Sequence, residues 1–280
     1  MKLASSNRTL SLNTPIVMGI LNTTPDSFSD GGALYRGRQL DVSVATETAL
    51  KMADDGATII DIGGESTRPG ATPVGLQQEL DRTIPIIESL RSQSDIWISI
   101  DTSQPEVMRT AAATGADVIN DVRSFSTENA LQVASETGLA VCVMHMQGQP
   151  QNMQDSPRYD DVVGEVEGYL QERIDSMISA GIGKEKIVID PGFGFGKTSS
   201  HNIELLQNLK RFRELGHPVL AGLSRKRLAG DITSRPVHQR LAGSIALAML
   251  ALQNGASILR VHDVAETVDM VKVYSATCVS

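Results

Sequence analysis

Apolar residues along this chain come in short unbroken runs, and segments with a helical repeat fill the intervals between them. Eight runs stand out: PIVMGIL (15–21), ATIIDIG (57–63), IWISID (96–101), ADVINDV (116–122), AVCVMH (140–145), KIVIDP (186–191), PVLAGLS (218–224) and SILRVHD (257–263). Each is continuous rather than alternating and rich in β-branched residues, which predicts strands buried on both faces. In DVSVATETALKMADDGA, Val44, Thr48, Lys51 and Met52 recur at helical intervals, and Gly56 closes the segment as a helix C-terminus does. QQELDRTIPIIESLRS, PEVMRTAAATGA, TENALQVASETG, VVGEVEGYLQERIDSMISAG, HNIELLQNLKRFRELG, HQRLAGSIALAMLALQNGA and VAETVDMVKVYSAT follow the same plan. Eight strands alternating with eight helices in 280 residues predict an α/β fold, a single-domain (β/α)8 TIM barrel spanning 1–280. A doubly wound open sheet is the alternative. It calls for a glycine fingerprint after its first strand, and GILNTTPDSF is not one.

Such a barrel works at the C-terminal ends of its strands. Those ends deliver, in order, Asn22; Asp61; Asp101; Asn120 with Asp121; Met144 with His145; Asp190; Ser224, Arg225 and Lys226; and Arg260, His262 and Asp263. Core packing alone does not require a polar end to every apolar run. Taken singly, an aspartate there is a turn former or helix N-cap, and we assign that role to Asp61, Asp121 and Asp263. The remaining cations gather at the seventh and eighth strands, the acceptors at the third, fourth and sixth. This predicts a polarised ligand, with N–H donors facing Asp101, Asn120 and Asp190 and anionic oxygens facing Arg260 and His262. A planar heterocycle carrying a phosphate or pyrophosphate fits. The loops TTPDSFSDGG (23–32) and GGESTRPGA (63–71) are long for strand-to-helix connections and predict lids, the second bringing Arg68 to the anion.

Composition acts mainly by exclusion. A formal net charge of −8 disfavours a nucleic-acid partner, which needs a basic face. Cys142 and Cys278 have neither disulfide-framework nor metal-ligand spacing, and read as reduced thiols. MKLASSNRTLSL lacks an apolar core of signal-peptide length, and Gln253 and Asn254 interrupt the most apolar segment too soon for a membrane span. The expectation is a cytoplasmic protein without a membrane partner. Arg225 and Lys197 read as solvated surface charges.

The stretch DPGFGFGKT (190–198) nearly spells two phosphate-binding motifs. A phosphate loop, G-x-x-x-x-G-K-[ST], would need glycine where Pro191 stands, and the dinucleotide fingerprint does not alternate strictly as Gly192, Gly194 and Gly196 do. Alternating glycines instead let a backbone turn tightly beside a ligand.

GILNTTPDSFSDGG, DIGGESTRPGA, SIDTS, INDVRS, MHMQG, DPGFGFGK, LSRKR and RVHD together resemble the dihydropteroate synthases, folate-pathway enzymes of the pterin-binding barrel family, from Ile16 to Asp263 and in the family's order. The resemblance implies transfer of 6-hydroxymethyl-7,8-dihydropterin from its pyrophosphate to p-aminobenzoate, forming 7,8-dihydropteroate, through a carbocation-like dihydropterin. It implies that Asp190, Asn120, Asp101 and Lys226 bind the pterin, with Met144 and Val122 against its ring. Asn22, Thr67, Arg68, Arg260 and His262 would take the pyrophosphate, with Asn22 helping to hold Mg2+. Phe28, Pro69, Phe195 and Ser224 would form the p-aminobenzoate slot, with Phe193 as buried packing. Lys226, Arg260, His262 and Asp101 would carry catalysis, and a homodimer is implied. Arg227 departs from those relatives that carry a serine able to bond the benzoate carboxylate. The alternatives are a pterin-dependent methyl-transfer barrel, a non-catalytic pterin-binding protein, and a Schiff-base aldolase acting through Lys226.

Overall fold

The computed structural model describes residues 1–6, 8–24, 34–36, 39–66, 74–149 and 152–278. The chain opens with an antiparallel hairpin, β1 (Lys2–Ser5) and β2 (Arg8–Ser11). Strand β3 (Ile16–Asn22) follows, then the short antiparallel pair β4 (Tyr35–Arg36) and β5 (Gln39–Leu40), and helix α1 (Val42–Asp54). Next come β6 (Ile59–Gly63), α2 (Leu76–Arg91), β7 (Trp97–Asp101), α3 (Pro105–Thr114), β8 (Val118–Asp121) and α4 (Ala130–Thr137). The remainder is β9 (Ala140–Met144), α5 (Val162–Ser179), β10 (Ile187–Asp190), α6 (Ser199–Gln207), α7 (Leu209–Arg213), β11 (Leu220–Ala221), α8 (Arg227–Thr233), α9 (Leu241–Gln253), β12 (Ile258–Val261) and α10 (Val264–Cys278).

Eight strands pair in parallel in the order β10-β9-β8-β7-β6-β3-β12-β11. A parallel bridge between Ile189 and Val219, with Ile189 N–H donating to Pro218 O at 3.0 Å, joins the two ends into a barrel. Every predicted strand is present. The seventh is shorter than its apolar run at both ends, and at its start Pro218 has no N–H to donate to the ladder. The predicted helix over 201–216 divides at Asn208, whose side chain turns back to Glu204 O at 2.9 Å.

Alternation along each strand sorts its residues into two separate cores. Val17, Ile60, Ile98, Ile119, Val141, Ile187 and Leu259 pack with the apolar faces of the helices. Their neighbours Met18, Ile59, Trp97, Val118, Cys142, Val188 and Ile258 form a second cluster inside the barrel, which takes in Leu3 and Leu12 beside the N-terminal hairpin. The hairpin, like the short β4–β5 pair and helix α8, is an element the apolar pattern did not foretell. It plugs the barrel's N-terminal end, where Asp117 accepts from Arg8 Nη1 at 2.8 Å and Arg91 Nη2 at 2.7 Å. With that end filled by hydrocarbon, the charged inward-facing residues Asp101, Asp190 and Arg260 lie at the other end.

One buried acid supports the loop after β6. Glu79 on α2 is 1% exposed, and a Cβ on Gly64 would stand 3.0 Å from its Cγ. Burial pushes the Glu79 pKa up to about 7, against the pull of Thr102 and Arg123. The folded state therefore binds this proton more tightly than the unfolded one. The stability involved is present below about pH 4.5 and lost as pH rises through 7. Glu79→Gln, neutral at every pH, is expected to be more stable than the parent at pH 8 by about 3 kcal/mol and similar to it at pH 4.5. Thermal unfolding at the two pH values measures this; an unchanged difference between them would assign Glu79 an ordinary pKa.

Candidate active site

Strand register sets Asn22 beside Gly63, Gly63 beside Asp101, and Asp101 beside Asn120. Arg260 reaches across from β12. Its Nε donates to Asp61 Oδ2 at 2.6 Å and its Nη2 to Asp101 Oδ2 at 2.7 Å, while Asn120 Nδ2 donates to Asp61 Oδ2 at 3.2 Å. Asp61 is therefore no turn former. It is fully buried and serves as counter-charge to Arg260. Asp121 does play the local role, accepting from Arg123 N at 2.8 Å, Phe125 N at 2.6 Å and the Ser103 hydroxyl. Asp263 divides its functions: its carbonyl accepts from Thr267 N, and its carboxylate holds Arg225 through bonds of 2.5 and 3.0 Å. Arg225 is thus an ion-paired residue and not a solvated charge. Because opposite charges meet across the barrel, acceptors and cations interleave and do not occupy separate sides.

Burial pushes the Asp101 pKa up to about 7, with Arg260 opposing. Burial works against the charge of Arg260, and Asp61 and Asp101 outweigh it, so the guanidinium stays protonated. With Nε and one Nη2 hydrogen committed, the rest of the five-donor fork remains for a ligand.

Above this network lies a cavity of about 580 Å3. Asn22, Asp101, Phe195, Ser224, Lys226, Arg260 and His262, all expected site residues, line it. Asn120, Asp190, Met144 and Val122 are buried, at 6%, 6%, 3% and 6% exposure, and are not among the residues lining it. Asp190 is coupled to the cavity through Lys226: burial raises its pKa and the lysine's charge opposes the rise. Burial likewise lowers Lys226 to about 8, with Asp190 opposing. Phe28, Thr67, Arg68 and Pro69 lie outside the described residues. The pairing of Ser224 Oγ with His262 Nδ1 at 3.1 Å, with His262 N–H donating to the same oxygen at 3.2 Å, orients the imidazole at the rim.

The glycine-rich stretch after β10 forms an aromatic wall. Gly192, Gly194 and Gly196 have φ of 71°, 81° and 60°, and a Cβ on Gly192 would stand 1.8 Å from His145 O. Side chains at those positions would be both strained and blocked. Phe193 is buried, as expected, and Phe195 turns its ring to the cavity with Lys226 Nζ 4.5 Å from the ring centroid, a cation–π contact. Lys197 is not a solvated charge. It is 3% exposed and burial lowers its pKa far below the usual lysine range.

Sequence reasoning missed Asp61, Lys197, Gln154 and Glu65 at or beside the cavity. For Asp61 the signal was parity, since it stands two residues from inward-facing Ile59; for Gln154, in an irregular segment, no signal exists.

Residues 18–262 match the family described as pterin binding enzyme. Dihydropteroate synthase of Haemophilus influenzae is 53% identical over 277 residues, with 99% of each chain covered. The Yersinia pestis dihydropteroate synthase, solved as a sulfonamide drug complex, superposes with a TM-score of 0.96 at 48% identity, covering 100% of both chains. That of Xanthomonas albilineans, solved with 4-aminobenzoic acid, gives a TM-score of 0.92 at 50% identity, covering 100% of this chain and 98% of the other. The chain belongs to the pterin-binding enzyme family and, within it, groups with the dihydropteroate synthases.

Proposed function

We propose that the cavity condenses 6-hydroxymethyl-7,8-dihydropterin pyrophosphate with p-aminobenzoate, giving 7,8-dihydropteroate and pyrophosphate. The observation that carries this is the convergence of buried acceptors, an aromatic wall and three cationic or imidazole side chains on one opening. Asp190 accepts from the pterin's ring N–H and exocyclic amino group, and Asn120 complements a ring nitrogen. Lys226 donates to the pterin carbonyl and balances the charge of Asp190. Met144 and Val122 back the ring. Arg260, already held by two carboxylates, turns its free N–H groups to the pyrophosphate beside His262. Thr67 and Arg68 join them.

Among the described residues no group of three or more His, Cys, Asp or Glu side chains forms a metal cage. The donor set instead fits Mg2+ held chiefly by pyrophosphate oxygens and water, with the Asn22 amide oxygen at the cavity wall as protein ligand. When bound, Mg2+ neutralises charge on the leaving group. Arg260 and His262 act in the same sense, so pyrophosphate departs as the dihydropterin delocalises positive charge on its exocyclic methylene. The arylamine, stacked on Phe195 between Phe28 and Pro69, attacks that carbon. No protein nucleophile is required, and the Ser224 hydroxyl serves to fix His262.

We also infer a cytoplasmic homodimer. Leu241 and Leu250 on α9 are 38% and 44% exposed, which suits a helix that packs on a second copy. No described helix is long and apolar enough to cross a membrane.

The test is pyrophosphate release from the pterin substrate with Mg2+, with and without p-aminobenzoate. Release that depends on p-aminobenzoate and yields dihydropteroate is the expected result. Pterin binding without release in either case would return the assignment to a non-catalytic or methyl-transfer barrel.

A further inference from the structure

Every carbonyl from Gly192 to Gly196 is capped by a side chain from elsewhere in the chain or from the end of the loop. Lys197 Nζ donates to Gly192 O at 2.9 Å and Phe195 O at 3.0 Å. Lys226 Nζ donates to Phe193 O, Gln154 Nε2 to Gly194 O at 2.6 Å, and the Tyr159 hydroxyl to Gly196 O at 2.8 Å. Lys197 alone serves two of the five. It also ties them to the end of β9, with Nζ 2.8 Å from His145 Nδ1 and 3.3 Å from His145 O. Whichever tautomer His145 holds, Nζ has hydrogens for both loop carbonyls.

Burying an amine is costly, and a leucine or methionine would fill the same space. What the nitrogen supplies is the shape of the turn. Three alternating left-handed glycines give a backbone with many accessible conformations, so the functional one has to be held by cross-bonds. Two groups depend on that shape. The Gly192 N–H donates to Asp190 Oδ1 at 2.7 Å, which aims the carboxylate and leaves its other oxygen for a ligand. Phe195, whose own carbonyl is held, presents its ring to the cavity.

We propose that Lys197 is a positioning residue for the transfer reaction: through the carbonyls of Gly192 and Phe195 it clamps the loop that aims Asp190 and Phe195. The proposal rests on the reading of this loop as the pterin side of the site. Lys197→Met, nearly isosteric and without a donor, is expected to raise the pterin Kd and the KM for the pterin substrate roughly 100-fold, while kcat at saturation falls less. A merely structural role would lower the active fraction and leave KM where it was.

A cavity of about 140 Å3 borders Lys197, Thr198, Asn202 and Lys226, and removing the lysine side chain would enlarge it by room for a small amine. Methylamine is therefore expected to lower the KM of Lys197→Ala toward the parent value. Tetramethylammonium, with no N–H to donate, is not. Calorimetry with the pterin on the parent, Lys197→Met and Asp190→Asn separates the claims. A folded Lys197→Met that binds the pterin within about twofold of the parent overturns the positioning role. Should that variant not fold, Lys197→Gln, which keeps two uncharged donors, is held to the same criterion with an intermediate Kd expected. An Asp190→Asn variant that binds normally would instead remove Asp190 as the pterin acceptor, leaving the Lys197 comparison to stand on its own.

Discussion

Asp190→Asn is expected to weaken pterin binding by roughly 100- to 10,000-fold with little change in folding. The carboxylate ends β10 inside the barrel, 6% exposed, with Gly192 N–H on one oxygen. A pterin edge offering two N–H donors would bond an ionised acid through charge-assisted bonds of about 1.5–3 kcal/mol each, which sets that range at about 1.4 kcal/mol per decade. Asparagine keeps the Gly192 bond through its carbonyl oxygen and turns an NH2 toward the ligand's donors, so donor meets donor. Burial raises the Asp190 pKa and the Lys226 charge opposes it, so the pair, and not Asp190 alone, sets the acceptor state. Calorimetry on the folded variant decides. Unchanged affinity would remove Asp190 from the site.

Arg260→Met is expected to cost stability as well as turnover. Among the described residues its guanidinium is the one side-chain partner of Asp101, and Asp61 would be left with Asn120 alone. Removing one partner of a buried ion pair typically costs about 3–5 kcal/mol, because the remaining charge is uncompensated. The deficit should grow with pH. Without Arg260 the folded-state pKa of Asp101, already pushed up by burial, rises further above its unfolded value, so stability is retained where it is protonated and lost as pH climbs through that raised value. Urea unfolding at pH 5 and pH 8 measures this, and a deficit equal at both would show that Asp101 does not depend on Arg260 for its charge. Arg260→Lys should recover only part of the loss, since an ammonium cannot match the fork that spans two carboxylates. Activity should fall in both variants, because the donors left for pyrophosphate change with the anchoring.

The local rules of the chain were enough to specify the barrel. Continuous β-branched runs and helix repeats are properties of a few neighbouring residues, and all eight expected strands occur at their expected places. The inward or outward direction of a strand residue follows from parity, so Asp101, Asn120, Asp190 and Arg260 were legible as one set at the strand ends. Which aspartate answers to which cation was not legible. Asp61, Asp121 and Asp263 each stand at or near a strand end, yet one is the counter-charge of Arg260 from across the barrel, one closes a turn, and one pairs with Arg225. Those differences depend on partners up to 199 residues away in sequence. Likewise the hairpin over Lys2–Ser11 has no periodic pattern long enough to announce itself, and exists because the open end of an apolar barrel needs covering. Lys197 shows the same limit most clearly. By itself a lysine next to a threonine is a surface residue, and only a turn that gathers the carbonyls of Gly192 and Phe195 around one point makes a buried amine favourable there. Sequence therefore determined the fold, the family's motifs and the strand ends that carry chemistry. Tertiary structure decided the pairing of buried charges, because pairing depends on distance in space and on desolvation, and neither is written in the order of neighbouring residues.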